Sequence, residues 1–302
     1  MANGIYERLL AAEVTHNLAR EWDQSRLQYL RNAIMGVVAN PVLPSVTEVE
    51  TCFGTRMHID LRDKVCQDIF VHKSYEIDIS LFLAKTLTSG DVFFDIGAHY
   101  GYFSSLASVL VRPQGKVIAW EPGRRALAFL ARNVEHLGNV IWRDRAVGES
   151  NGFVDYTDFG VEYGAFNTIK DNIRSPVNVE GTRERVARES LDEFFATSGV
   201  SCTVLKVDAE SAESEIIKGA KELLTRNRPA VILEVGDFDH VQSSGIPDTR
   251  DLIDMMGDLR YRPYQFRTGR LEGHKIQPRG KYNYMNLIFL PVGKSSRWSI
   301  HA

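Results

Sequence analysis

The chain has 302 residues, 44% of them hydrophobic and 25% charged, with a net charge of −3. That is enough apolar material for one large core with appendages. The charge argues against a polyanionic partner such as nucleic acid, and no apolar run reaches the roughly 18 residues that span a bilayer.

The first element is an arm, residues 1–40. Ile5, Leu9, Leu10, Val14 and Leu18, then Leu27, Leu30, Ile34 and Val37, recur at helical spacing, and Pro41 and Pro44 end the pattern. Exposed stripes of this kind are unfavourable, so the arm packs on its own core, over a bound acceptor as a lid, or against a second copy in a homodimer. A lid or dimer element is the preferred expectation. Met1-Ala2-Asn3-Gly4-Ile5-Tyr6-Glu7-Arg8 lacks the basic-then-apolar pattern of a signal peptide, so a cytoplasmic location is expected. Between 48 and 72 the period shortens: Val49, Thr51, Phe53, then Met57, Ile59, Leu61, then Val65, Ile69, Val71. With Gly54 and Asp63-Lys64 as turn signals, this predicts a small β-meander. Cys52, Cys66 and Cys202 show no CxxC spacing and read as reduced thiols. Residues 1–75 are therefore expected to form an N-terminal element, and 76–302 the main domain.

From residue 76 helical and strand patterns alternate, which predicts a parallel sheet. Strands are expected near 91–95, 117–121, 139–143, 203–208, 230–235, 260–266 and 284–290, and helices near 76–88, 101–112, 124–137, 213–226 and 248–257. The last two strands, joined by the loop-rich link 268–282, read as an antiparallel hairpin at the sheet edge. The excursion 149–200, with Phe153, Tyr156, Phe159, Tyr163 and Phe166 and the basic Arg183, Arg185 and Arg188, is an insertion near the ligand end of the sheet.

Val92-Phe93-Phe94-Asp95-Ile96-Gly97-Ala98-His99-Tyr100-Gly101-Tyr102 reads as strand, glycine turn and helix start. Gly97 permits a sharp turn and a close ligand approach, and Gly101 permits the next helix to sit close to the sheet. The spacing is not the GxGxxG of a nicotinamide site. Asp95 would repel a pyrophosphate but pair with a cationic ammonium, so the loop suits S-adenosylmethionine (SAM) better than NAD. His99, Tyr100, Tyr102 and Phe103 follow as loop contacts. Glu121, at the end of Lys116-Val117-Ile118-Ala119-Trp120-Glu121-Pro122, is placed to accept both ribose hydroxyls of an adenosine, with Pro122 beside it.

Val204-Leu205-Lys206-Val207-Asp208-Ala209-Glu210-Ser211-Ala212-Glu213 completes the pattern. Taken with the Asp95 loop and Trp120-Glu121-Pro122, the chain resembles the FkbM family of SAM-dependent methyltransferases. Tyr75-Glu76, Asn133, Ala146-Val147-Gly148, Ser190-Leu191-Asp192, Asn286 and Phe289 match as well, while Ala209 and Ser211 replace the family's valine and glycine. The resemblance covers roughly 70 to 290. It implies an α/β, Rossmann-like class I methyltransferase, with seven strands, a mostly parallel sheet and an antiparallel last strand. It also implies SAM as cofactor, contacts to it from Ala146 and Asp208, and O-methylation of a small natural product or sugar.

Asp95, Glu121, Asp208 with Glu210, and Glu234 all fall at strand carboxyl ends, where ligands bind in such sheets. Lys206 shares a strand face with Asp208. Asp208 and Glu210 are candidate bases for the acceptor proton or, alternatively, caps of the following helix. His99, His240 and His274 are alternative bases, of which His99 reads rather as a hydrogen-bond partner in the cofactor loop and His240 is the better of the other two. Asp208, Glu210 and Glu234 are hard oxygen ligands suited to Mg²⁺, although the adjacent aspartate pair of many Mg²⁺-dependent methyltransferases is missing, and a metal-free site is preferred. N-methylation, or a SAM-binding subunit without catalysis, are the alternative functions.

Overall fold

The computed structural model describes residues 2–21, 45–169, 179–237, 247–267 and 269–293. Helices are α1 Ala2–Glu21, α2 Lys64–His72, α3 Ile77–Thr86, α4 Tyr102–Val111, α5 Arg124–Val134, α6 Leu191–Ser198, α7 Glu213–Lys218 and α8 Thr249–Asp258. Strands are β1 Val46–Glu50, β2 Arg56–Asp60, β3 Val92–Ile96, β4 Lys116–Trp120, β5 Val140–Arg143, β6 Ala146–Val147, β7 Gly152–Asp158, β8 Thr182–Glu189, β9 Val204–Val207, β10 Ala230–Val235, β11 Tyr261–Arg267, β12 Arg270–Gly273 and β13 Met285–Pro291.

The main sheet runs β12-β11-β13-β10-β9-β3-β4-β5. The strands from β10 through β5 are parallel, and β13 is antiparallel between β10 and β11. All seven expected strands are present. An eighth, β12, comes from the link read as loop: Gly269, with φ +74°, turns the chain so that Arg270–Gly273 returns along β11. The core lies on both faces of the sheet, with Phe93, Leu106 and Val117 in one layer and Phe94, Trp120 and Leu205 in the other. Strands buried on both faces read as near-continuous apolar runs, as Val-Ile-Leu in β10 does. Among the described residues, no helix is long and apolar enough to cross a membrane.

The N-terminal segment differs from expectation in two places. The meander is a two-stranded hairpin, β1–β2, followed by a helix. Val65 and Ile69 are four apart and share a helical face; Asp63, read as a turn residue, is the N-cap of α2 and accepts from the Cys66 N–H at 3.0 Å. In α1, Ile5, Leu9 and Ala12 are buried in the main core against α3, and the Lys85 ammonium stands 5.1 Å from the Tyr6 ring centre. At these three positions the apolar face is covered by the chain itself. Residues 22–44, the rest of the arm, lie outside the described residues. Asn133 of α5 ties the hairpin to the sheet domain. It accepts from the His58 N–H at 2.7 Å and donates to the carbonyls of His58 and Tyr100 at 3.0 and 2.9 Å.

The insertion folds as a three-stranded sheet, β6-β8-β7, with a 3₁₀ segment, Val161–Phe166, after β7. Glu189 at the end of β8 fixes it to the main sheet by accepting from the Trp120 indole N–H at 2.5 Å and from the Arg143 guanidinium.

Candidate active site

The loop after β3 is shaped by backbone contacts. The N–H groups of Gly97 and Ala98 both donate to the Trp120 carbonyl at 3.0 Å, which folds the loop over the end of β4. Gly97 has φ +76°, and a Cβ there would lie 1.7 Å from the Asp208 carbonyl oxygen. Only glycine fits. Gly101, at φ +86°, has its close approach to Leu130 and Val134 of α5; a Cβ would meet Leu130 at 2.7 Å. Its role is helix–helix packing, a correction to the helix–sheet contact expected.

His99 occupies the left-handed region at φ +49°. Its N–H donates to Glu121 Oε2 at 2.8 Å, and the Gly123 N–H donates to Oε1 at 2.8 Å. Burial raises the Glu121 carboxyl above its usual range, against the opposing pull of His99 and these two N–H groups. The His99 ring stacks on Tyr100 at 4.4 Å, which stacks on Phe129 at 4.3 Å, and its Nε2 lies 3.2 Å from Asp63 Oδ2. Burial disfavours the charged imidazole, but Asp63, with Glu121 and Asp208, outweighs it and holds the His99 pKa above the ordinary value.

The second part of the site is acidic around one buried cation. Lys206, in β9, is 1% exposed; its Nζ donates to Asp208 Oδ2 at 2.7 Å and stands 4.8 Å from the Phe103 ring centre. Burial works against its charge, yet Asp208, Glu76 and Asp95 together raise its pKa. Asp208 is the reverse: burial raises it, and Lys206, helped by a hydrogen bond from Glu234 and by His99, more than compensates, so it stays below the carboxylate range. Glu234 is pushed well above that range by burial and by Asp208 and Glu210. Oxygens of Asp208, Glu210 and Glu234 all lie within 4.8 Å of one another. Glu210 and Ser211 are both left-handed, at φ +47° and +77°, where the family pattern would place glycine at the second position. The Glu210 carbonyl accepts from Thr168 Oγ1 at 2.6 Å, which pins the insertion to this turn. Glu76, at φ +39°, accepts from Asn286 Nδ2 at 2.8 Å, joining the Tyr75-Glu76 and Asn286 matches at one point.

These parts open on one cavity of about 1140 Å³, measured with the solvent at its mouth. Gly97, His99, Tyr100, Tyr102, Phe103, Glu121, Pro122, Ala146, Asp208, Glu210 and Glu234 line it. Asp95 does not. It is 1% exposed, its Oδ2 accepts from Ser104 Oγ at 2.6 Å, and burial raises its pKa despite Lys206. It shares a sheet face with its register partner Lys206, which does line the cavity. Gly101 is likewise absent from the lining. His240 lies outside the described residues. His274 sits in the β12–β13 link, with its Nε2 3.1 Å from the Tyr282 hydroxyl, and away from the cavity. Sequence reasoning missed Val65 and Ile69 from the N-terminal segment and Arg145 after β5, and gave Tyr75, which also lines the cavity, only as a family match. It also missed the insertion's Gly164, Asn167, Thr168 and Ile169, although it had singled out Tyr156, which lines the cavity too.

A glycine loop, a strand-end glutamate and a ring of carboxylates beyond the carboxyl ends of β3, β4, β9 and β10 define a Rossmann-like α/β enzyme site for an adenosine-bearing cofactor. Residues 95–263 match the family model described as Methyltransferase FkbM domain, more than half of the chain, and the chain belongs to this family of methyltransferases. A curated protein of Sinorhizobium fredii, 2-O-methyltransferase NoeI, is 26% identical over 147 residues, which is 45% of this chain and 60% of that protein. Among solved structures, a methyltransferase FkbM from Methylobacillus flagellatus is 15% identical with a TM-score of 0.42, covering 67% of this chain and 43% of its own. A SAM-dependent O-methyltransferase from Thermotoga maritima is 14% identical with a TM-score of 0.40, covering 83% and 79%.

Proposed function

We propose that the chain transfers a methyl group from SAM to a hydroxyl oxygen of a small-molecule acceptor. The observation that carries this reading is the shared cavity, which is lined both by the Gly97–Tyr100 loop with Glu121 and by Asp208, Glu210 and Glu234. The lining fits the cofactor. Gly97 keeps side-chain bulk out of the loop's contact with Asp208, and Glu121 has lone pairs left for ribose hydroxyls after accepting two N–H groups. Carboxylates facing the cavity favour a positively charged sulfonium. The name of the Sinorhizobium relative, a 2-O-methyltransferase, supports oxygen as the acceptor atom.

When bound, SAM supplies an electrophilic methyl group. The protein's work is to align the acceptor oxygen and take up its proton. Lys206 keeps Asp208 ionised, and Glu210 stands beside it; both are carboxylates that can receive a hydroxyl proton. Glu234 stays protonated to higher pH and offers a hydrogen-bond donor toward Asp208 or the acceptor. Lys206 already supplies a cation to this cluster, which supports a metal-free reaction.

Calorimetry checks the cofactor. SAM and S-adenosylhomocysteine are expected to bind and NAD not to; NAD binding, with none of SAM at millimolar concentration, would refute the reading. Mass spectrometry of a methylated product places the methyl group, and a methyl on nitrogen would replace the hydroxyl assignment with N-methylation.

A further inference from the structure

Asp63 lies outside residues 95–263, the stretch that matches the family model. It nevertheless touches the cofactor loop. Asp63 is 2% exposed, and its two carboxylate oxygens have separate tasks. Oδ1 accepts from the Cys66 N–H and caps α2. Oδ2 faces His99 Nε2 at 3.2 Å. Helix α2 in turn supplies Val65 and Ile69 to the cavity wall. The insertion closes over the same pair: a Cβ at Gly164 would lie 2.9 Å from Asp63 Oδ2 and 3.5 Å from His99 Nε2. Three walls of the cavity therefore meet at one ion pair.

The pair reaches the cofactor side through the backbone. His99 is a non-glycine residue in the left-handed region, a conformation that such residues adopt only when their surroundings hold them there. In that conformation its N–H points at Glu121 Oε2. The ring is clamped on one face by the stack on Tyr100 and at Nε2 by Asp63. We propose that Asp63 is a positioning residue for the cofactor: by holding the His99 ring it keeps the His99 N–H on Glu121, and so makes the N-terminal segment part of the cofactor site. The inference rests on the SAM reading of the preceding section.

The pair is sensitive to pH in a defined sense. The charged groups about His99 are Asp63 on α2, Glu121 beyond β4 and Asp208 beyond β9, which all favour the imidazolium. Asp158 of the insertion and Arg125 of α5 line the small cleft beside the pair, with Tyr100 under the ring. Because the folded pKa of His99 is raised, the ion pair is complete below the ordinary histidine value and is lost as pH rises through the raised one.

The test is calorimetric titration of the full chain with S-adenosylhomocysteine from pH 6 to pH 9. Asp63→Asn keeps a side-chain oxygen for the α2 cap but removes the charge. It is expected to weaken binding by about tenfold at pH 6, the scale of one charge-assisted hydrogen bond. Wild-type affinity should fall as pH rises through the His99 pKa, and the Asp63→Asn profile should be flat. His99→Asn, whose residue type tolerates the left-handed region, should also give a flat profile and serves if Asp63→Asn does not fold. Wild-type affinity and slope retained in both variants would overturn the inference while leaving the SAM reading intact. Failure of the wild-type chain to bind S-adenosylhomocysteine would overturn both.

Discussion

Lys206→Met offers a sharp test of the site's electrostatics. Lys206 is 1% exposed, and its ammonium faces Asp208 at 2.7 Å, with Glu76 and Asp95 also acting on it. Methionine fills much the same volume and removes only the charge, so the packing against Phe103 largely survives. Removing one partner of a buried ion pair leaves the other uncompensated, at a cost of about 3–5 kcal/mol. At roughly 2–3 °C per kcal/mol for a chain of this size, that is a drop of about 6–15 °C in Tm. The sign with pH follows from the carboxylates. In the wild type Asp208 is depressed, so its stabilising contribution is present above its unfolded pKa and fades only as pH falls through the lower folded value. In the variant, burial and the neighbouring acids act without Lys206 and raise Asp208. Its contribution becomes destabilising above the unfolded pKa and is relieved as pH falls. Differential scanning calorimetry at pH 8 and pH 5.5 should show the Tm deficit shrinking at the lower pH. A variant within about 2 °C of wild type at pH 8, on the same scale, or a deficit that grows on acidification, would refute the reasoning.

Asp208→Asn and Glu210→Gln should lower turnover with the true acceptor by about 10²–10⁴-fold while S-adenosylhomocysteine affinity changes far less; full turnover in both would make these acids structural. Treatment with EDTA should leave turnover unchanged, and loss restored by Mg²⁺ would assign Asp208, Glu210 and Glu234 to a metal. Deleting residues 2–21 should expose the core face that Ile5, Leu9 and Ala12 cover. Thermal stability should fall with no change in oligomeric state by light scattering, and an unchanged Tm with a shifted mass would favour the dimer reading instead.

Much of the fold was legible because it is written in local pattern. The strands about β3, β4, β9 and β10 are short apolar runs ended by acids, and the alternation with helices leaves few topologies. Where reading failed, the signal was ambiguous or distant. Val65, Ile69 and Val71 satisfy both strand and helix templates, and Asp63-Lys64 serves equally as a turn or as an N-cap and first helical residue. Asp95 was legible as a strand-end acid, but its hydrogen bond from Ser104 emerges only once α4 is packed over it. Asp63 and Thr168 are joined to His99 and Glu210 by tertiary contacts across dozens of residues, and neither sits in a motif. The Tyr75-Glu76 match did carry information, since Tyr75 lines the cavity and Glu76 meets Asn286.

The contact between Gly97 and the Asp208 carbonyl bears on how this enzyme can change. A Cβ at position 97 would lie 1.7 Å from that oxygen, so the loop after β3 and the turn after β9 rest on each other with no slack. They behave as a single rigid anvil, and one cannot be remodelled without displacing the other. Variation in which molecule is methylated is therefore expected to enter through the other walls of the cavity, at the insertion's Asn167 and Ile169 and at Val65 and Ile69 of α2, which reach it from elsewhere in the fold. Libraries aimed at new acceptors should draw on those positions and leave the anvil untouched.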